Sequence, residues 1–160
     1  MPKIDVANVP VLKGTTYPAP YDEPCVEREN TLLGLASGLT QYGVNLTRLK
    51  PGVWSGQRHW HSHEDEFVYM LEGEAIMVTD AGRETLRPGD CAGFPAGESN
   101  GHHIINESDA DVVFLVVGTR DMQDAVTYPD IDMLAKPGRY KNFSSAFVRK
   151  DGSKFQDDAA

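Results

Sequence analysis

Residues 58–73 read RHWHSHEDEFVYMLEG and join a histidine cluster to a run that is typical of a β-strand. The second half, EFVYMLEG, is rich in β-branched and aromatic residues and ends at Gly73, a turn residue. The first half contains three of the five histidines of the chain, His59, His61 and His63. The stretch therefore predicts a β-strand next to a group of imidazoles.

Outward from this stretch, short apolar or alternating runs follow one another from about residue 31 to 118. Clusters of proline, glycine and asparagine interrupt them about every 8–12 residues, the spacing of a β-sandwich or barrel. The runs are YGVNLTRL (42–49), VWSGQRHWH (53–61), EFVYMLEG (66–73), EAIMVTD (74–80), RETLRPGD (83–90), CAGFP (91–95), HHIIN (102–106) and DVVFLVVG (111–118). Since no long window repeats at helical period, the sequence predicts an all-β protein.

The length of 160 residues suits one domain with a core of its own, so we expect a single domain over residues 1–160. Its barrel core is predicted at about residues 40–118. The proline-rich residues 1–30 predict an extended N-terminal arm that could add an edge strand. After Asp121 we expect a short C-terminal tail, with a helical turn at YPDIDMLA (128–135) and a polar end.

The formal charge of −9 disfavours two classes of partner. An acidic chain repels a phosphate backbone and an anionic bilayer, which argues against nucleic acid and membrane as partners. The first residues, MPKIDVANVPVLKG, lack the apolar core of a signal peptide. Without such a signal, Cys25 and Cys91 are expected to be reduced thiols. These features predict a cytoplasmic protein.

Strand geometry predicts that two of the clustered histidines share one face. Side chains alternate along a strand, so His59 and His61 point together and Trp60 points away. Four residues separate His61 from Glu66, enough for a hairpin turn over 62–65 that returns a carboxylate to the histidine pair. Two imidazoles and one carboxylate could then bind one metal ion.

The remaining charged residues of the stretch have simpler interpretations. We expect His63 in the turn, solvated or bonded to a neighbour, and Glu64 and Asp65 as exposed turn charges. A second pair, His102 and His103, lies in another strand-like run. Alternation allows only one of the two to face the site, and spacing alone does not choose between them. A chance cluster on a solvated face is the alternative for the whole set.

Two patterns in this region resemble the motifs of the cupin superfamily. His59-x-His61-x4-Glu66-x6-Gly73 matches the first cupin motif, and Gly89-x5-Pro95-x-Gly97 followed by His102-x3-Asn106 resembles the second. The resemblance implies a double-stranded β-helix, also called a jelly-roll barrel, which is usually a homodimer. It also implies one divalent metal held by His59, His61, Glu66 and His102, with His103 outside the ligand set.

Longer segments resemble one group within this superfamily. RHWHSHEDEFVYMLEGE and GDCAGFPAGESNGHHIIN are similar to small bacterial single-domain cupins described as candidate sugar-phosphate isomerases. The sequence departs from the motifs at two places: Gly52 lies one residue further from His59 than usual, and four residues instead of two separate Gly97 from His102. The insertion contains Asn100-Gly101, a favoured two-residue turn, and predicts a longer loop at the mouth of the site.

Three imidazoles and one carboxylate suit Mn, Fe, Co, Ni, Cu or Zn and leave two octahedral positions open for a small-molecule ligand. In an isomerase such a metal would polarise neighbouring carbonyl and hydroxyl oxygens. Glu66 is the candidate catalytic residue, as metal ligand and proton carrier. An iron-dependent dioxygenase and a non-catalytic binding or sensor module are the alternatives.

Alternation along the strands also predicts which side chains line the metal site. Gln57, Val68, Met70, Ile104 and Asn106 share the metal-facing side, and none of them is a cation for a substrate phosphate. Arg48, Arg139 and Lys141 could reach the site, although each is more typical of a solvated surface. Apolar side chains on the opposite face of the strand at 66–71 suggest sheet packing or a dimer interface: Phe67, Tyr69 and Leu71.

Overall fold

A computed structural model describes residues 3–142 and 145–155. Within these residues the chain forms short β-strands, one short helix, α1 (Leu33–Ala36), and 3-10 turns at Val6–Asn8, Glu23–Cys25 and Arg139–Lys141. The strands are β1 (Val11–Lys13), β2 (Glu29–Thr31), β3 (Tyr42–Leu49), β4 (Trp60–His61), β5 (Glu66–Glu72), β6 (Ala75–Thr79), β7 (Gly82–Leu86), β8 (Cys91–Phe94), β9 (His103–Ile105), β10 (Val112–Thr119), β11 (Val126–Tyr128), β12 (Met133–Ala135) and β13 (Phe147–Val148). The predicted all-β class is confirmed.

The strands form three antiparallel sheets. The largest has the order β1-β2-β3-β10-β5-β8, and the others have the orders β13-β12-β11-β4 and β7-β6-β9. Strands distant in sequence are therefore neighbours, as β3 and β10 are over their full lengths. This order fits the double-stranded β-helix that the motifs imply.

Two apolar clusters hold the sheets together. The first joins the six-stranded sheet to the three-stranded sheet, with the buried side chains Leu49, Val68, Met70, Ala75, Met77, Leu86, Ile104, Val112 and Phe114 at its centre. The second lies beside β11 and β12 and packs against aromatic residues of the N-terminal arm, including Tyr17 and Tyr21. The arm is therefore attached to the core through its side chains.

Strand β5 shows the alternation expected from its sequence. Val68 and Met70 are buried, whereas Phe67, Tyr69 and Leu71 on the opposite face are exposed by about two fifths. Gly73 ends the strand at a φ of 77°, and a Cβ there would lie 2.5 Å from the carbonyl oxygen of Asp111. Both the backbone angle and the close approach require glycine at this position.

Two local predictions are wrong. Residues 62–65 do not form a hairpin turn, because β4 pairs with β11 while β5 pairs with β10 and β8, so the segment crosses between two sheets. Residues 128–135 do not form a helical turn. They contain the end of β11 and all of β12, which pair as a hairpin with Tyr128 opposite Met133. Pairing with β4 and β13 on the two sides outweighs the local helical preference.

The termini match their predictions in part. The N-terminal arm contributes both β1 and β2 to the edge of the six-stranded sheet.

Cys25 and Cys91 are free thiols. No helix among the described residues is long and apolar enough to cross a membrane. The last residues of the predicted polar end, 156–160, lie outside the described part.

Candidate metal centre

Backbone pairing brings the separate histidine segments together. His59 and His102 are directly opposite each other in an antiparallel bridge, with distances between the backbone nitrogen and oxygen atoms of 3.1 Å and 2.9 Å. His61 follows two residues after His59, and their rings lie 5.1 Å apart. Glu66 enters from the first position of β5 in the six-stranded sheet. The site is therefore assembled where the sheets meet.

The Nε2 atoms of all three histidines lie close to the Glu66 carboxylate. The distances are 3.9 Å for His59 and 3.5 Å for His61 to Oε2, and 3.6 Å for His102 to Oε1. His59, His61 and Glu66 offer ligand atoms that all lie within 4.8 Å of one another, so this group could hold a metal ion. His102 borders the group through the second carboxylate oxygen.

Each histidine has an acceptor at its other ring nitrogen. Nδ1 of His59 lies 2.8 Å from the carbonyl oxygen of Gln57, and Nδ1 of His61 lies 2.8 Å from Oδ2 of Asp124. Nδ1 of His102 makes a longer contact of 3.4 Å with the carbonyl oxygen of Asn100. If each Nδ1 donates its proton there, each Nε2 presents a lone pair to the centre, the arrangement of metal-binding histidines.

An orphaned atom fits the same interpretation. Nε2 of His102 is buried and has no hydrogen-bond partner, which is costly for a polar atom unless a ligand occupies the space beside it. The ring itself is fixed by Phe94, which stacks on it at 3.5 Å with an interplanar angle of 5°. The donor set and this unpaired nitrogen therefore fit a divalent transition metal.

The surroundings of the Glu66 carboxylate favour its charged form. Burial lowers the pKa of His59 to about 4, which favours the neutral ring. Although burial disfavours its charged form, contacts with His102, His59 and His61 hold the pKa of Glu66 well below its usual value. Burial also opposes the charge on His61, but hydrogen bonds to Asp124 and Glu66 raise its pKa to about 9. A metal would displace a proton from His61.

A buried polar network supports His61 from behind. Asp124 is fully buried and accepts hydrogen bonds from His61 and from the Arg139 guanidinium. Arg139 also donates to Glu64, and the Tyr140 hydroxyl donates to the same carboxylate at 2.7 Å. Burial disfavours the Asp124 carboxylate, but its hydrogen bonds keep its pKa low. The network links the C-terminal segment to the metal-facing histidine.

This network corrects two predictions. Glu64 is not an exposed turn charge: it is only 4 % exposed, because Arg139 and Tyr140 cover it. Arg139 is likewise buried instead of solvated. His61, Glu64 and Asp124 form a second group with metal-ligating atoms, but the guanidinium of Arg139 already pairs with both carboxylates there. Asp124 belongs to none of the sequence motifs, so the sequence did not identify it as a site residue.

The other histidines lie outside the centre. His63 is exposed and bonds to the hydroxyl of its neighbour Ser62, as expected, although the turn predicted around it does not form. His103 points away from Glu66, where its Nδ1 lies 3.0 Å from the carbonyl oxygen of Gly56 and its ring packs edge-on against Trp54. His102, which lies just before β9, and His103, its first residue, are consecutive and therefore point to opposite sides, as the motif implied.

The inserted loop lies beside the site but does not form the predicted two-residue turn. That turn needs positive φ at both central residues, and neither Asn100 nor Gly101 has it. Instead, the Asn100 side chain accepts a hydrogen bond from the backbone of Asp80 at 2.9 Å, and Gly101 packs against Arg58 and Pro129. The loop lines a cavity of about 220 Å³ that reaches His61 and His102.

The centre also lines two further cavities, which adjoin each other through shared lining residues. The inner one, about 200 Å³, is lined by His59, His102 and Glu66, and the outer one, about 530 Å³, by His61 and Glu66. Arg28 of the N-terminal arm lines both, a cation that the sequence did not suggest for this place. Arg48, which it did suggest, faces away and pairs with Asp111 at 3.1 Å.

Comparisons with known proteins agree with this geometry. The family model described as cupin domain matches residues 45–118. The chain is similar to a crystal structure named sugar phosphate isomerase of a cupin superfamily from Silicibacter pomeroyi, with 44 % identity, 98 % of each chain covered and a TM-score of 0.90. A protein from Acidithiobacillus ferrooxidans, described as a candidate sugar phosphate isomerase, shares 31 % identity over 81 % of each chain with a TM-score of 0.70. Among curated proteins, none matches the chain.

Proposed function

Because the chain belongs to the cupin superfamily, whose members commonly bind a metal, we propose that it is a metal-dependent aldose–ketose isomerase acting on a sugar phosphate. The observation that carries the proposal is the convergence of three imidazole Nε2 atoms on one carboxylate beside an open cleft. The names of the two similar proteins support the substrate class. The proposed ligands are His59, His61, Glu66 and His102.

The proposed chemistry divides between the metal and Glu66. A bound divalent metal would polarise the adjacent carbonyl and hydroxyl oxygens of the sugar and so acidify the hydrogen on the hydroxyl-bearing carbon, carbon 2 of the aldose. Glu66 lines both cavities, where its carboxylate could take the proton from carbon 2 and return it to carbon 1. The hydroxyl proton moves to the former carbonyl oxygen, so the sugar is isomerised without net change in composition. The low pKa of Glu66 favours its role as a ligand.

Turnover of sugar phosphates tests this proposal. We expect the Mn, Fe, Co, Ni or Zn form to interconvert at least one aldose phosphate and its ketose, followed by NMR, and the His102→Ala form to be inactive. Deuterium from the solvent at the carbon next to the carbonyl would indicate proton transfer and not a hydride shift. No interconversion across the panel would refute the isomerase, and substrate-dependent oxygen uptake by the iron form would favour the dioxygenase.

A homodimer is the second part of the proposal. Phe67 and Tyr69 lie opposite Val117 and Leu115 of β10, and these lie opposite Val44 and Leu46 of β3, so one apolar face continues across three strands. An exposed apolar sheet face of this kind is typical of an interface between copies. The opposite face is already occupied by the core.

A charged residue introduced on this apolar sheet face should separate the two copies of the chain. Phe67→Glu is expected to convert a dimer into a monomer in sedimentation velocity at micromolar concentration, because a carboxylate would be buried against apolar side chains. Met122→Glu is the matched control, since Met122 is 45 % exposed, close to the 41 % of Phe67, but lies in the turn before β11. A wild-type protein that sediments as a monomer would contradict the dimer.

A further inference from the structure

We infer that Arg28, assisted by Arg120, forms a subsite for the phosphate group of the substrate in the cleft beside the metal centre. The inference rests on the proposed function and specifies where the anionic end of the substrate binds. Four features carry it: the orientation of Arg28, its lack of a carboxylate partner, the second cation at the outer cavity, and the polar groups between.

Strand pairing turns Arg28 toward the cleft. Asn30 of β2 lies opposite Thr47 of β3, and both side chains line the inner cavity. Arg28 lies two residues before Asn30 and therefore on the same face, where it lines both cavities. Its guanidinium donates to the carbonyl oxygens of Ser55 and Gly14, the latter at 2.9 Å. These two bonds fix its position before any ligand binds.

The charge of Arg28 is not compensated within the described residues. Both of its hydrogen-bond partners are neutral carbonyl oxygens, no carboxylate there pairs with it, and its Nε is buried without a partner. Arg139, by contrast, is neutralised by Glu64 and Asp124, and Arg48 by Asp111. A partly buried guanidinium without a counter-ion is a site for an anion, for which its planar fork is suited.

Arg120 supplies a second cation at the outer cavity. Its guanidinium lies 5.5 Å from the centre of the Tyr140 ring, and no carboxylate among the described residues pairs with it. It is exposed, so its contribution is weaker than that of Arg28. The outer cavity is thus lined by the two uncompensated guanidinium groups of Arg28 and Arg120, together with the Arg139–Glu64 ion pair and the carboxylates of Asp65 and Glu66.

The space between carries groups that suit a polyol. Asn30 and Asn45 line both cavities, and Thr47 lines the inner one. The Thr47 hydroxyl donates to Oδ1 of Asn30 at 2.7 Å, which leaves the amide nitrogen of Asn30 as a donor. Amides in this position can bind sugar hydroxyls while the phosphate reaches Arg28. The outer cavity of about 530 Å³ is of ordinary size for a small metabolite.

The test compares two ligands that cannot be isomerised: a hexitol phosphate and the same hexitol without phosphate, titrated calorimetrically into the metal-loaded protein. The measured quantity is the ratio of their affinities. We expect a ratio above about tenfold in the wild type, a loss of about tenfold or more in Arg28→Gln, and a smaller loss in Arg120→Gln. Arg48→Gln, which removes a cation from the outward face of β3, should leave the ratio within about twofold.

Because Arg28 also bonds to Ser55 and Gly14, thermal unfolding checks each variant, and Arg28→Lys retains the charge if Arg28→Gln does not fold. Loss of the planar fork should still lower the ratio in Arg28→Lys. A wild-type ratio near one, or a ratio unchanged in both Arg28 variants, would overturn the inference. So would a ratio that survives Arg28→Gln but disappears in His102→Ala, since the phosphate would then bind the metal. If the isomerase assay fails but the wild-type affinity ratio and its loss in the Arg28 variants are observed, the proposed isomerisation is refuted and the phosphate subsite is not.

Discussion

Replacing His102 with alanine is expected to lower the affinity for a divalent metal by more than about a hundredfold, because a ligand is lost, whereas loss of a supporting residue costs about 10–100-fold. His102 offers the one ring nitrogen among the proposed ligands that is buried without a partner. His59→Ala should have a similar effect, since its Nε2 faces the same carboxylate. Elemental analysis and competition with a chelator measure the change.

Two histidines outside the centre provide matched controls. His63→Ala should leave metal binding unchanged, because His63 is exposed and, among the described residues, its ring bonds to Ser62 and its backbone N–H to Asp124, a bond that alanine keeps. His103→Ala removes a ring next to His102 in sequence, so it tests whether any change in β9 disturbs binding. The site would be vestigial if neither purified nor metal-reconstituted wild-type protein held stoichiometric metal, and the proposed isomerase would then fail with it.

The part of the site that the sequence predicted follows from strict local periodicity. Alternation placed His59 and His61 on one face, and the structure confirms that both rings point to Glu66. The return of Glu66 was predicted for a wrong reason, a hairpin, although β4 and β5 belong to different sheets. The cupin motif, and not the spacing, favoured His102 over His103. His102 lies beside His59 because the two residues pair in a bridge between distant segments, which spacing within one segment does not predict.

The groups that surround the ligands could not be predicted, because they depend on pairings between distant segments. Arg28 lines the cleft only because the N-terminal arm adds β2 beside β3. Asp124 and Arg139 meet Glu64 only because the C-terminal segment folds back over residues 62–65. Short sequence windows described Glu64 as a turn charge, and its burial results from partners about 60–75 residues away.

Removal of Arg139 should have the largest effect on stability. Arg139→Gln is expected to lower the free energy of unfolding by about 3–5 kcal/mol, because it leaves buried carboxylates without their counter-ion. The side chains of Asp124 and Glu64 are 0 % and 5 % exposed, so water cannot replace the guanidinium. Urea unfolding of wild type and variant gives the difference directly.

A surface arginine separates this effect from the loss of any ion pair. Arg149→Gln removes a contact with Asp132 at 3.6 Å between side chains that are 42 % and 50 % exposed, and it should cost less than about 1 kcal/mol. Equal losses in the two variants would contradict the role of Arg139 as a buried counter-ion.

Arg139→Gln should also weaken metal binding, because Asp124 orients His61 through the Nδ1 atom of His61 and depends on Arg139 to remain in place. We therefore expect the stability of the C-terminal segment and the affinity for a metal to be coupled through the guanidinium group of Arg139.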